Sequence, residues 1–395
     1  MSEFRKFGYI DAARGVAILM VVLVHTAQTV PQMNFVVRNI AAYGQMGVQL
    51  FFVVSAFTLC LAMERRSTEP LPIRSFFIRR FFRIAPLYYV GIVFYALTHL
   101  LETCLIYKAG CLESSPYSVQ NIAANVFFIH GFTPQANNIV VPGGWSIGTE
   151  MAFYAVFPVL FWIIKRNTNP LLASVLLIIT AATISACTYL FSAQTGIAAR
   201  INSFQYFNIS TQLPVFALGI ASYFGTKSEH SMRTIKSIGS RSFAFLVFTV
   251  AALLTWDADT VLTPAFVPIL SGLSFACLLS LLRTLDAEAN SNERQLGIDF
   301  ASLFKIPLLW LKAIGRVSFS MYIFHFFFAK NLPLLSKRID IDLSPTLSLL
   351  TAFLIVTSIT YGISRLTEHF IEDSGVRAGR SFINRIQKAN LALHS

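Results

Sequence analysis

Charge is what this chain has least of. Asp, Glu, Lys and Arg make up 13% of its 395 residues, against about 25% in an ordinary soluble domain. That shortage excludes a water-soluble globule. Acidic residues are the scarcer sign, 19 against 31 basic ones, for a net charge of +12. Such an excess would suit nucleic acid, but the basic residues sit at the ends of apolar stretches, where membrane anchoring puts them, so no nucleic acid is expected. Cysteine is sparse, with five copies. Cys60, Cys187 and Cys277 fall in apolar stretches and read as packing residues. Cys104 and Cys111 pair as a disulfide or remain two thiols; spacing alone does not choose. Internal repeats, low-complexity tracts and a separable soluble domain are absent. The first apolar stretch is too long for a signal-peptide core and lacks a small-residue cleavage pattern, so it is expected to stay as a span.

What is abundant is apolar length: 55% of residues are hydrophobic and 37 are Phe. Ten segments have spanning length: 9–30, 44–63, 84–106, 145–164, 171–191, 209–225, 243–256, 265–282, 308–329 and 346–366. The expected fold is an all-α polytopic membrane protein, a bundle of about ten transmembrane helices. Residues 1–370 form the transmembrane domain and 371–395 a basic tail along the inner surface. Ten spans place 24 of the 31 Lys and Arg on one side. Arg38, Lys108, Arg200, Lys330, Lys337 and Arg338 fall on the other. The positive-inside rule then puts both termini in the cytoplasm. Residues 122–129 are too short to span and read as re-entrant or interfacial. They lie in the longest outer region, 107–144, and long structured loops are often functional.

Two ionisable residues interrupt the first span, Arg14 and His25. A charge in the bilayer core is costly, so such residues usually face an internal path. Eleven residues at about 100° each return the two side chains to within about 20°, roughly 16.5 Å apart along the axis. Arg14 also reads as a snorkelling residue and His25 as a hydrogen-bonded packing residue; their shared face favours function. Counting depth from each span's start puts Glu150 and His325 near the level of His25. Two imidazoles and a carboxylate at one level could do acid–base work, though Glu150 also suits a helix start. At the opposite end stand Arg74, Arg79, Arg80 and Arg83, either as membrane anchors or as a phosphate clamp.

Five blocks in order resemble the acyltransferase-3 family of integral-membrane acyltransferases. The first is the R-x10-H signature, Arg14-Gly15 followed by His25. The second is like GVxLFFVxSGF, here Gly47 to Phe57 with Ser55 and with Ala56 in place of the usual Gly. The third is Arg79-Arg80 with Arg83, Pro86 and Tyr88. The fourth is like WSxxxExxFY, from Trp145-Ser146 through Glu150 to Phe153-Tyr154. The fifth ends in Ser320, Tyr322 and His325. Ala13 stands where the family usually has Leu.

The resemblance implies an O-acyltransferase that moves an acyl group, most often acetyl, from cytoplasmic acyl-CoA to a hydroxyl of an extracytoplasmic glycan or lipid-linked saccharide, in a bacterial inner membrane. It implies His25 as base or transient acyl carrier, with Glu150 and His325 beside it. Arg14, Arg79, Arg80 and Arg83 would hold the acyl-CoA, with Ser55, Tyr88, Trp145 and Ser146 along its path. No metal is expected. The soluble SGNH-type domain that often accompanies the family is not among these residues, which leaves room for a separate periplasmic acyl-accepting partner. The competing class is a proton-coupled transporter of a small anion or glycolipid.

Overall fold

Long apolar stretches in lipid must satisfy their own backbone hydrogen bonds, and helices do so within one segment. The computed structural model is mainly helical over the residues it describes: 7–30, 33–103, 116–194, 203–228, 235–257, 260–289, 300–336 and 344–392, with no strand among them. In chain order the helices are α1 Gly8–Ala27, α2 Phe35–Tyr43, α3 Gly47–Arg65, α4 Pro72–Leu101, α5 Val119–Val126, α6 Gly144–Arg166, α7 Pro170–Gln194, α8 Phe204–Phe207, α9 Ile209–Ser228, α10 Ile235–Asp257, α11 Thr263–Ala289, α12 Phe300–Arg316, α13 Ser318–Ser336, α14 Pro345–Thr367 and α15 Asp373–Ala392.

Among the described residues eight helices are long and apolar enough to cross a membrane. They match eight of the ten expected segments, and the other two depart for identifiable reasons. The sixth, 209–225, is a helix, α9, but it spends polar residues inward. Thr211 and Gln212 are buried, and Gln49 of α3 donates to Gln212 at 3.1 Å and to Tyr206 at 3.0 Å. The ninth, 308–329, is two helices, interrupted at Val317. Just before the break α12 crosses α1 so closely that a Cβ on Gly315 would lie 1.7 Å from the Asp11 carbonyl. One on Gly15 would lie 2.2 Å from that of Leu311. Small residues permit such crossings between membrane helices. The break lets α13 turn and run beside the His25 end of α1.

α1 is the axis of the bundle. Ala12, Ala13, Ala17 and Ile18 are fully buried, and α3, α11, α12, α13 and α14 all pack on it. The expected division at residue 370 falls within a π-helical turn, Glu368–Glu372, through which α14 runs on into α15. α15 docks on α4, Gly375 against the Phe82 carbonyl. The expected interfacial stretch is α5, capped by Ser118, followed by a 3-10 turn at His130–Phe132. Cys104, Cys111, Lys108, Arg200, Lys337 and Arg338 lie outside the described residues.

Candidate active site

Three cavities lie in series through the bundle. The first, about 270 Å³, opens between α1, α3 and α4. Five arginines line it, Arg14, Arg65, Arg66, Arg80 and Arg83, with Asp11 as its one acid. The second is a narrow space of about 80 Å³ that shares Arg14, Arg80 and Arg83 with the first and adds Ser55, Ser146, Glu150, Tyr154 and Tyr322. The third, about 610 Å³, shares Val48 and Tyr322 with the second and holds His25, His325, Gln28, Arg38, Gln45, Asn138 and Trp145. A cation-rich mouth thus leads through a constriction to a roomy chamber that contains both expected histidines.

At the mouth the arginines differ. Arg14 pairs loosely with Asp11, at 3.7 Å. Arg80 lies 5.8 Å from the rings of both Phe76 and Tyr154, and its buried Nε has no hydrogen-bond partner. Arg79 is bound to Glu69 and lines none of the three cavities. Arg66 also reaches Glu69, at 3.4 Å; desolvation first, and then the neighbouring Arg79, Arg80 and Arg380, pull its pKa below the usual arginine value.

In the constriction Glu150 accepts hydrogen bonds from Ser55 Oγ, at 2.5 Å, and from Tyr154. It lines the constriction and not the chamber that holds the two histidines. The start of α6 is packed inside the protein, at Gly144, Trp145 and Ser146. The partition toward the chamber is Tyr322. Its hydroxyl accepts from Ser146 Oγ at 2.8 Å and donates to the Gly143 carbonyl at 3.0 Å. Gly143 has φ +80°, and a Cβ there would sit 2.9 Å from the Tyr322 hydroxyl, so both the backbone and the close approach require glycine.

In the chamber the His25 and His325 rings lie 5.2 Å apart, and Phe326 packs edge-on against His25. His325 Nδ1 lies 2.8 Å from the Tyr322 carbonyl and 3.2 Å from that of Met321. Carbonyls only accept, so Nδ1 carries the proton and the buried Nε2, which has no partner, carries a lone pair. His25 Nδ1 faces Gln28 Oε1 at 3.1 Å. By the same logic its Nε2 is the free base. Each imidazole thus spends Nδ1 on a hydrogen bond and keeps Nε2 uncommitted.

Of the remaining expected residues, Trp145 lines the chamber and Ser146 the constriction. Tyr88 lines none of these three cavities. Its hydroxyl donates to Asn125 at 2.6 Å and stands 3.2 Å from His130, which itself donates to the Gly144 carbonyl at 2.9 Å. Tyr88 thus ties the loop before α6 to α4. Tyr322 as a partition, Tyr154 on Glu150, and Arg65 and Arg66 at the mouth were not singled out from the sequence. Tyr154 and Tyr322 stood inside the blocks quoted. Arg65 and Arg66 looked like ordinary end-of-span anchors.

The family model described as an acyltransferase domain matches residues 7–365. The exopolysaccharide production protein ExoZ of Rhizobium meliloti is 31% identical over 116 residues, 29% of this chain and 33% of that protein. The peptidoglycan O-acetyltransferase OatA of Listeria monocytogenes is 30% identical over 172 residues, 41% of this chain and 25% of that protein. The matched stretches thus span about a third and a quarter of the lengths of these curated relatives. No solved structure matches.

Proposed function

This chain belongs to the acyltransferase-3 family of membrane acyltransferases, and from that premise we propose that it moves an acetyl group from acetyl-CoA across the bundle to a hydroxyl of a polysaccharide or its lipid-linked precursor. The observation that carries the reading is the series of cavities, with arginines at one end and two imidazoles at the other. Guanidinium groups favour phosphate through paired, charge-assisted hydrogen bonds. The bias of basic residues puts the arginine mouth on the cytoplasmic side, where acyl-CoA is made. From Arg14 to His25 the helix rises roughly 16.5 Å, a span comparable with an extended pantetheine arm. The names of the two relatives, one in exopolysaccharide production and one a peptidoglycan O-acetyltransferase, favour a glycan acceptor on the far side.

In this mechanism Arg14, Arg80 and Arg83 hold the phosphates, and Ser55 and Tyr154 keep Glu150 turned along the wall of the constriction. Tyr322 releases Gly143 and swings aside to admit the thioester to the chamber. His25 Nε2 takes the proton of the acceptor hydroxyl as its oxygen attacks the thioester carbonyl. The new C–O bond forms, the C–S bond breaks, and the imidazolium returns its proton to the departing thiolate. His325, its tautomer fixed by two carbonyls, presents a second lone pair toward the chamber and keeps it polar.

The test uses purified full-length protein, labelled acetyl-CoA and a glycan extract. His25→Ala, inserted and folded as the wild type, is expected to lower transfer by about a hundredfold or more. Transfer at the wild-type rate would remove His25 from the mechanism. Uptake of a solute into vesicles with no acyl transfer would favour a transporter instead.

A further inference from the structure

The chamber has an electrostatic character that the transfer chemistry does not use. Its described lining holds two imidazoles, three carboxamides (Gln28, Gln45 and Asn138) and one full charge, Arg38, with no Asp or Glu. Arg38 rises from α2, whose first turn is fixed by the Asn34 side chain accepting from the Val37 amide. Its nearest recorded partner is the ring of Phe35, 5.9 Å away on the same helix. Among the described residues it makes no ion pair. The contrast is Lys330, the other described cation on that side of the bundle by the charge count, which is paired with Glu102 at 3.3 Å. Arg38 is exposed and so met by water, which leaves its charge available to an anion that enters the chamber.

The surroundings of Arg38 say where that charge sits. Phe35, Val36 and Ile40, on the same short helix, are each about three-fifths exposed. An apolar helix face beside a polar cavity places the guanidinium at a membrane–water boundary. There an anionic group at the junction of a lipid and a sugar, or on the sugar itself, meets it while the sugar hydroxyls reach the carboxamides and His25. A neutral saccharide would offer Arg38 only hydroxyls in place of water, whereas an anion adds a charge-assisted bond. We infer that the acceptor carries a negative charge, a phosphate or a carboxylate, which Arg38 binds at the rim of the chamber. The inference rests on the acyl-transfer reading and adds to it the charge class of the acceptor.

The experiment measures labelled acetyl transfer by the full chain in lipid vesicles to three acceptors of similar size: a neutral oligosaccharide, the same oligosaccharide bearing one uronic acid, and a neutral oligosaccharide on an isoprenoid phosphate. At least one charged acceptor is expected to exceed the neutral one about tenfold or more in kcat/KM, the range of a charge-assisted hydrogen bond. Arg38→Gln is expected to abolish that preference, and Arg38→Lys to keep part of it. A preference for the uronic acid alone puts the charge on the sugar, and one for the isoprenoid phosphate alone puts it on the carrier lipid; both support the inference. Equal rates on all three acceptors, or a preference that survives Arg38→Gln, overturns it and leaves Arg38 as an interfacial anchor, with acyl transfer intact. Transfer to no acceptor overturns the acyl-transfer reading and this inference with it.

Discussion

Arg79 and Arg80 are neighbours in the chain with opposite surroundings. Arg79 is satisfied by Glu69, while Arg80 lines two cavities and keeps an unpartnered Nε. If the mouth binds phosphates, the two must differ in effect. Arg80→Gln is expected to raise KM for acetyl-CoA about tenfold or more, the loss of one charge-assisted contact, and Arg79→Gln to change it by less than about threefold. Saturation kinetics on the purified variants check this; equal effects would mean that the cluster anchors the helix and does not clamp the donor. The spacing from Arg14 to His25 was legible in the sequence because helical periodicity is local. The side chain of each indeed reaches a cavity of the same series. The company of Glu150 was legible only in part. Tyr154 is one helical turn on along α6, but Ser55 is brought to Glu150 by how α3 packs against α6, which residue counting along one span cannot see.

At the level of elements, the loop before α6 is fastened by a buried network. His130 is fully buried and donates to the Gly144 carbonyl, Tyr88 donates to Asn125, and Asn125 donates to the Ala136 carbonyl at 3.2 Å. Burial pushes the His130 pKa below the ordinary 6.5. An open loop therefore binds the proton more readily than the closed one. The stabilisation is present above about pH 6.5 and is lost as pH falls toward the folded value. Hydrogen-exchange protection of residues 117–143, corrected for intrinsic rates, is expected to fall between pH 7.5 and pH 5. His130→Gln is expected to remove that dependence, and unchanged protection in the wild type would contradict it. The sequence marked this region through its length and its Pro and Gly, yet gave no sign that His130 is interior. The split of the ninth segment was hidden for a related reason. Hydropathy reads residues 308–329 as continuous, and the break at Val317 follows from the close crossing of α12 over α1, a tertiary fact.

Over the whole molecule, scarcity of charge and the placement of what charge remains carried the class of the protein. A chain this apolar must be helical in lipid, and eight helices meet that requirement among the described residues. The asymmetry of Lys and Arg orients the proposed path. In the proposed mechanism the arginines face the donor side and the histidine chamber the acceptor side. Transfer in this mechanism therefore runs across the membrane, with the two substrates on opposite faces. Proteoliposomes with the full chain in one orientation, labelled acetyl-CoA on the side of the arginine mouth and an impermeant glycan on the other, test that claim most directly. Label is expected on the far-side glycan, with free CoA left on the near side and no labelled acetyl-CoA crossing, and His25→Ala is expected to abolish it. Label that reaches glycan only when both substrates share one compartment would contradict a path through the bundle.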